Sequence, residues 1–117
     1  MANSIYGSMT AAEKSVADYL KELGIFWDYE IPVYVEEGGR PRLWSPDFFL
    51  PELGIYIEVA ASGNIPSYTF REKIYNECKV SCIFVWPYRD TATWKKKLNK
   101  ELIELHQYRW SILKKLS

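Results

Sequence analysis

The sequence predicts an α/β protein whose helices and strands follow one another in the order α-β-β-β-α-β-α. Three observations predict this class: a capped amphipathic helix near the N-terminus, short β-rich segments separated by turns, and a long final segment with helical periodicity. The 117 residues have the length of one domain. We therefore expect a single domain over residues 1–117, with its core at about 8–87 and a C-terminal helical segment at about 91–116.

The first helix is predicted over about residues 10–23. Thr10 and Glu13 fit a capping box, in which a hydroxyl caps the helix and a carboxylate three residues later caps in return. Gly24 then suits the end of the helix. The apolar side chains between these ends recur at helical spacing: Val16, Ala17, Leu20 and Leu23.

The segment after this helix is rich in β-forming residues and alternates between apolar and polar side chains. Turns are expected at the Glu-Glu-Gly-Gly run and at Pro-Glu-Leu-Gly. Between and beside these turns the residues have strand length. The expected strands are 25–35 with a ragged second arm at 40–44, then 46–50, then 55–60.

The second half of the chain predicts a loop, a helix, a strand and a long helix. We expect the loop at 61–66 and a helix over 67–78 that packs through Phe70, Ile74 and Tyr75. The apolar run at 80–86 is typical of a strand covered on both faces. The last helix is predicted over 91–116, with a break near Tyr108 as an alternative to one continuous element.

Composition and charge narrow the classes of function. Hydrophobic residues make up 48% and charged residues 26%, which excludes a disordered or collagen-like chain. No apolar run approaches the ~20 residues of a membrane span, and the N-terminus lacks a signal-peptide pattern, so we expect an intracellular, cytoplasmic protein with no membrane partner.

The charged side chains are unevenly distributed along the chain. Residues 1–87 carry 7 basic and 12 acidic side chains, and residues 88–117 carry 8 basic and 3 acidic. This asymmetry fits either an anionic partner on one face or a solvated helix.

The two cysteines do not predict a metal clip. Cys78 and Cys82 are separated by three residues, and the single histidine is His106. Structural zinc usually needs four such ligands. We therefore expect both cysteines to be small core residues.

The pairing of one predicted hairpin, with side chains alternating between its two faces, brings two acidic residues together. If 46–50 and 55–60 pair across the turn at 51–54, Asp47 lies opposite Glu58 on one face, and the other face is wholly apolar. Facing carboxylates repel unless a cation lies between them, and Mg²⁺ prefers such oxygen ligands. The alternatives are a register slip, protonation of one carboxylate, or its pairing with a nearby arginine; the candidates are Arg40 and Arg42.

These residues resemble the motif of the PD-(D/E)XK nuclease superfamily, in which Pro-Asp is followed at a distance by Glu-x-Lys. Here Pro46-Asp47 is followed by Glu58, with ten residues between the two carboxylates. The order of the predicted elements over about residues 8–87 is similar to the restriction-endonuclease-like core, a central mixed sheet flanked by helices. The resemblance implies hydrolysis of phosphodiester bonds in DNA by a Mg²⁺- or Mn²⁺-dependent endonuclease.

The resemblance also implies roles for individual residues. Asp47 and Glu58 would hold the metal with the backbone carbonyl of Val59, and Glu13 would reach the same site from the first helix. Ala60 stands where the family has its lysine, so Lys73 is our first candidate to replace it. Other replacements are Arg71, a second metal ion or a water molecule.

Loss of the lysine leaves further alternatives open. One is a catalytically inactive nuclease-fold protein that binds DNA or a protein partner, and another is an unrelated scaffold with two surface carboxylates. The long, aromatic-rich last helix is compatible with a homodimer. The side chains expected to contact the DNA backbone are Arg40, Arg42, Arg71, Lys95 and Lys96.

Overall fold

The computed structural model describes residues 5–60 and 65–116. Within these ranges the chain forms three α-helices and six strands, preceded by a 3-10 turn at Ile5–Ser8. The helices are α1 (Ala11–Glu22), α2 (Ile65–Glu77) and α3 (Trp94–Leu116). The strands are β1 (Asp28–Tyr29), β2 (Val33–Glu37), β3 (Arg40–Trp44), β4 (Phe48–Leu50), β5 (Ile55–Val59) and β6 (Cys82–Val85).

Helix α1 begins with the capping box that the sequence predicts. The backbone N–H of Glu13 donates to Thr10 Oγ1 at 3.1 Å, and the backbone N–H of Thr10 donates to Glu13 Oε1 at 3.0 Å. The helix ends at Glu22, and Gly24 follows in the left-handed region with φ of 71°. The first predicted element is therefore confirmed, with both of its ends.

The main sheet has the strand order β1-β4-β5-β6. Strands β4 and β5 are antiparallel, whereas β5 and β6 are parallel and are connected through α2. A parallel pair needs a crossover of this kind, because the chain must return to the same end of the sheet. The result is a mixed sheet with helices on its faces, which confirms the predicted fold class.

The two faces of the main sheet have different surroundings. One face carries buried apolar side chains from β4, β5 and β6, which pack with α1 and with Trp94, Leu98 and Leu102 of α3. The other face turns Phe84 and Cys82 toward α2 and the β2–β3 hairpin, whose shared core is Val35, Ile74 and Tyr75. Glu58 alternates with Ile57 and Val59 along β5 and so belongs to this second face.

The strand expected over 25–35 is two strands in two different sheets. Residue Glu30 has φ of 55°, and Pro32 lacks the N–H that a continuous ladder would use. Strand β1 joins the main sheet beside β4, whereas β2 pairs with β3 as a separate ribbon with Val33 opposite Trp44. The ragged arm expected at 40–44 is thus a complete strand.

Helix α2 packs through Ile74 and Tyr75, as expected, but not through Phe70. Phe70 is 45% exposed, so its predicted place in the core is wrong. In its place Arg71 is turned inward, at helical spacing from Ile74 and Tyr75. Of the expected loop at 61–66, residues 61–64 lie outside the described residues and Ile65 already belongs to α2.

Helix α3 is continuous over its 23 residues, without the alternative break near Tyr108. Cys78 and Cys82 are free, half-buried thiols packed beside the Val35 core. Among the residues that the structure describes, no helix has both the length and the apolar character needed to cross a bilayer.

Candidate metal and catalytic site

The hairpin between β4 and β5 has the register that the sequence predicts. Phe48 is opposite Ile57 and Leu50 is opposite Ile55, so the next pair outward is Asp47 with Glu58. Asp47 and Glu58 each affect the pKa of the other, and Asp47 Oδ2 accepts the backbone N–H of Val59 at 2.6 Å. Two carboxyl groups thus meet at one end of the hairpin.

Burial changes the acidity of both carboxyl groups. Loss of water raises the pKa of Asp47 to about 6, and the charge of Glu13 acts in the same direction, while the Val59 N–H opposes it. Loss of water also raises the pKa of Glu58 to about 7, with Arg71 opposing the rise and Asp47 adding to it. Both carboxyl groups therefore bind protons more readily than exposed carboxyl groups do, and a metal cation would compete with those protons.

A third carboxylate approaches from the start of α1. Glu13 is 7% exposed, and its Oε2 accepts the phenolic O–H of Tyr29 at 2.7 Å while Oε1 serves the capping box. Its charge is one of the causes that raise the pKa of Asp47, although among the described residues Glu13, Asp47 and Glu58 do not form a three-carboxylate metal site. The capping and site roles of Glu13 are therefore compatible.

The donor set fits a hard divalent cation. Among residues 5–60 and 65–116, no group of three His, Cys, Asp or Glu side chains is arranged to hold a metal ion. Asp47 and Glu58 supply two adjoining carboxylates, and the backbone carbonyl of Val59 follows directly in the chain. Mg²⁺ commonly takes one or two carboxylates and completes its six ligands with water and substrate oxygens. Asp47 and Glu58 are therefore the two side chains that could hold such an ion.

The basic group beside the carboxylates is Arg71. Its Nη2 lies 2.7 Å from Glu58 Oε2, and its guanidinium carbon lies 5.7 Å from the centre of the Trp44 ring. The hydroxyl of Tyr75 donates to the same Glu58 oxygen at 3.4 Å. Ala60, two residues after Glu58, is 2% exposed and contributes no charge.

Lys73 does not enter the site. Its side chain is 70% exposed, and its Nζ lies 3.9 Å from Glu77 Oε1 on the outer side of α2. The helix places residues 71, 74 and 75 inward, and position 73 is therefore turned away. Lys73 therefore points away from the carboxylates, and Arg71, two residues earlier, is the basic side chain beside them.

The five predicted DNA-contacting side chains divide between the two faces of the sheet. Arg40 and Arg42 are exposed on the side of β3 that also carries Trp44, and Trp44 contacts Tyr75 and Arg71 near the carboxylates. Lys95 lies over the rings of Tyr19 and Trp94, and its neighbour Lys96 is exposed on α3. Helix α3 packs on the opposite face, so the two lysines are separated from the carboxylate side.

Two tyrosines of the site were not predicted. Tyr75 lies four residues after Arg71, so this spacing predicts that both side chains lie on the same face of the helix. Tyr29 reaches Glu13 because β1 pairs with β4. This pairing is long-range, so the local sequence pattern does not predict it. Burial raises the pKa of both phenols, so each stays protonated as a donor to its carboxylate.

Comparison with known proteins shows a likeness of fold. No family model matches the chain, and no curated protein matches it. Among solved structures, the catalytic domain of the homing endonuclease I-Bth0305I is similar, with a TM-score of 0.58 and 17% sequence identity over 83% of this chain and 98% of that one. The chain therefore has a nuclease-like fold, with the carboxylate pair on one face of its mixed sheet.

Proposed function

We propose that this protein is a metal-dependent nuclease that hydrolyses phosphodiester bonds in DNA, as the PD-(D/E)XK endonucleases do. The observation that carries the proposal is the buried carboxyl pair of Asp47 and Glu58, which lies beside Arg71 on a nuclease-like fold. Perturbed acidic groups of this kind are typical of catalytic sites. The known nuclease domain of similar fold supports the same class of reaction.

In this proposal Asp47, Glu58 and the Val59 carbonyl hold Mg²⁺ or Mn²⁺. When bound, such an ion polarises a phosphoryl oxygen and lowers the pKa of a bound water. The Val59 N–H keeps Asp47 oriented, since the carboxylate that accepts it cannot rotate freely. Glu13 adds negative charge beside Asp47, which strengthens the attraction for a cation.

Arg71 supplies the positive charge that the family lysine would provide. Its guanidinium is half-buried and held by Glu58, and it stays protonated at every working pH. It can stabilise negative charge that develops on the phosphate, but it cannot accept a proton. The proton of the attacking water therefore passes to a carboxylate or to solvent.

Cleavage of supercoiled plasmid DNA in Mn²⁺ tests the proposal. We expect the wild-type protein to nick the plasmid and Asp47→Asn, which keeps the shape of the side chain, to lose the activity. Asp18→Asn is the matched control, because Asp18 is exposed on α1 and distant in sequence from the motif. Equal nicking by the wild type and Asp47→Asn would contradict a nuclease function.

The second candidate function is a catalytically inactive protein that binds DNA or a protein. The observation in its favour is the ion pair of Arg71 with Glu58, since Arg71 already neutralises a carboxylate that a metal would need. Calorimetric titration with Mn²⁺ separates the two functions. A nuclease binds the ion through Asp47, and an inactive relative gives no heat of binding.

Our proposal also includes a cytoplasmic location and a homodimer. The last turns of α3 present large apolar side chains to solvent, among them Trp110 at 56%, Leu113 at 58% and Leu116 at 79% exposure. A second copy of the same helix face would cover them in a symmetric interface. Light scattering after gel filtration should give twice the monomer mass for the wild type and the monomer mass for Leu113→Asp.

A further inference from the structure

One carboxylate oxygen of the proposed metal site is already paired with a cation of the protein itself. Arg71 Nη2 lies 2.7 Å from Glu58 Oε2, and the hydroxyl of Tyr75 donates to the same oxygen at 3.4 Å. The side chain of Glu58 is only 5% exposed, whereas that of Arg71 is 29% exposed. Arg71 is therefore the more accessible partner of the pair, and a metal ion that binds through Oε2 has to displace its guanidinium.

The burial of Glu58 determines how this ion pair can open. A buried charge that loses its partner destabilises a protein strongly, because water does not replace the lost contact. Glu58 therefore needs a second cation when Arg71 leaves. The guanidinium of Arg71 gains most when it leaves for another anion, since it carries a full charge and has only partial access to water.

A phosphate of the DNA backbone is the anion that suits Arg71. The planar guanidinium has five N–H donors and binds two phosphate oxygens side by side. A phosphodiester carries one negative charge, as the Glu58 carboxylate does. The charges therefore stay balanced when Arg71 exchanges a carboxylate for a phosphate and Glu58 exchanges the guanidinium for a metal ion.

The β2–β3 ribbon supports Arg71 independently of Glu58. The centre of the Trp44 ring lies 5.7 Å from the guanidinium carbon, and Trp44 is held edge to face by Tyr75 at 5.4 Å. This cation–π contact does not require Glu58 as a partner. Arg42 is exposed two residues before Trp44 and lies on the same face of β3, so its charge attracts phosphates to this side of the site.

We propose that Arg71 makes the loading of the metal site depend on DNA: a backbone phosphate takes the guanidinium away from Glu58, and Glu58 is then free to hold the metal ion. This inference rests on the proposed nuclease function and adds the regulation of that site by its substrate. Without DNA the guanidinium competes with the metal ion for Glu58, so the ion binds weakly. DNA and the metal ion then strengthen each other's binding by the same factor.

DNA binding in EDTA tests the exchange directly, because no metal ion takes part. Fluorescence anisotropy at pH 8 and low salt measures the affinity for a labelled 20-base-pair duplex. Glu58→Gln and Asp47→Asn each remove one carboxylate charge and keep the shape of the side chain, but only Glu58→Gln releases Arg71 for a phosphate. We expect Glu58→Gln to bind the duplex at least about 5-fold more tightly than Asp47→Asn. Equal affinities, or weaker binding by Glu58→Gln, overturn the inference.

The same comparison in two other backgrounds assigns the difference to Arg71. In Arg71→Ala the affinities of the two carboxylate variants should agree within about twofold, and in Lys73→Ala, whose lysine is 70% exposed on the same helix, the difference should persist. Arg71→Met keeps the stem beside Trp44 and replaces Arg71→Ala if that variant fails to fold. An advantage of Glu58→Gln that persists without Arg71 overturns the inference.

The metal half of the exchange is measured by calorimetric titration with Ca²⁺, which also binds carboxylate oxygens, in place of Mg²⁺ so that binding is measured alone. The heat from titration of the duplex by itself is subtracted. We expect the duplex to tighten Ca²⁺ binding to the wild type at least about 5-fold, and to tighten it less in Arg71→Met. Equal tightening in both proteins, or none in the wild type, overturns the inference.

These experiments also separate the inference from the proposed function. If plasmid nicking depends on Asp47 but Glu58→Gln has no advantage in DNA binding, the nuclease function stands and the exchange is overturned. If Asp47→Asn and the wild type nick equally while Glu58→Gln keeps an advantage that requires Arg71, the nuclease function fails and the exchange of Arg71 between Glu58 and a phosphate stands.

Discussion

The guanidinium of Arg71 lies 2.7 Å from Glu58 Oε2, although the two residues are on different elements and thirteen positions apart in the chain. Helix α2 turns this side chain toward the sheet, and Trp44 of the β2–β3 ribbon lies against its flat face. The contact gives the buried Glu58 a positive partner. This charge opposes the larger rise in the pKa of Glu58 that burial causes. The positively charged side chain at the candidate site is therefore supplied by helix α2. In the motif that the sequence resembles, it is a lysine on the strand.

Replacing this arginine should affect metal binding and turnover in opposite directions. Arg71→Ala removes a cation that competes for Glu58, so we expect Mn²⁺ to bind more tightly. Because loss of Arg71 also raises the pKa of Glu58, the comparison is made at pH 8, above the pKa of about 7 that Glu58 has in the wild type. Cleavage of DNA should fall about 100-fold, because one stabilising donor in the transition state is lost. Titration calorimetry and plasmid nicking measure the two effects.

Lys73→Ala is the matched control for this experiment. Lys73 is on the same helix but 70% exposed, so neither metal affinity nor cleavage should change by more than about twofold. A larger loss of cleavage in Lys73→Ala than in Arg71→Ala would contradict the assignment of the basic group.

The stability of the metal-free protein should fall as pH rises from 4 to 7. Folding raises the pKa of Asp47 from 3.8 to about 6 and that of Glu58 from 4.5 to about 7, so the folded protein holds more protons than the unfolded chain in this window. The free energy of unfolding therefore decreases with pH, by roughly 2–4 kcal/mol in total for a pair that shares its protons.

Urea unfolding at pH 4.5, 6 and 7.5 measures this decrease. The Asp47→Asn, Glu58→Gln double variant has no carboxyl group to titrate at the site and should show a much flatter profile. Addition of Mg²⁺ should restore stability at pH 7.5 in the wild type alone. A wild-type profile as flat as that of the double variant would show that the pair is already ionised in the folded protein.

The hairpin that carries the carboxylates could be predicted from the sequence because its information is local. The short turn at 51–54 determines the register, and the alternation of apolar side chains determines the faces. This register places Phe48 opposite Ile57, and the next pair outward then brings Asp47 close to Glu58. The class of fold and the capped first helix depend on equally local patterns.

The orientation of α2 could not be predicted in the same way. Its apolar residues favoured Phe70 as an inward side chain, yet the helix buries Arg71, whose long stem packs beside Trp44. This choice depends on Glu58 and Trp44, which lie on two other elements. Likewise, the division of residues 25–35 between two sheets depends on the pairing of β1 with the distant β4.

Two substitutions should separate the structural and site roles at the start of α1. Thr10→Ala removes a helix cap and should lower the free energy of unfolding by about 1 kcal/mol with little effect on cleavage. Glu13→Gln keeps the capping box, which accepts glutamine, but removes a negative charge beside Asp47. We expect near-normal stability and weaker Mn²⁺ binding in Glu13→Gln.

Thermal unfolding and Mn²⁺ titration of both variants check this separation. We expect Thr10→Ala to lower the unfolding temperature and leave Mn²⁺ binding unchanged. We expect Glu13→Gln to weaken Mn²⁺ binding and leave the unfolding temperature nearly unchanged. If Glu13→Gln binds Mn²⁺ as tightly as the wild type does, Glu13 has a capping role alone.

Arg109 should stabilise the end of the hairpin from a distance. Its guanidinium donates to the backbone carbonyls of Leu53 and Gly54, the latter at 3.0 Å, and to Ser81 Oγ at 2.9 Å. These bonds attach α3 to the turn between β4 and β5 and to the start of β6. Charge-assisted bonds contribute about 1.5–3 kcal/mol each, but Arg109 is partly exposed, so we expect Arg109→Met to cost about 1–3 kcal/mol in total.

Chemical unfolding of Arg109→Met and of the control Lys115→Met measures this cost. Lys115 is exposed in the last turn of the same helix, and its replacement should change stability by less than about 0.5 kcal/mol. Because Asp47 and Glu58 lie at the opposite end of the hairpin from the turn, Mn²⁺ binding by folded Arg109→Met should remain at the wild-type level. Loss of Mn²⁺ binding without loss of stability would instead place Arg109 in the function of the carboxylate site.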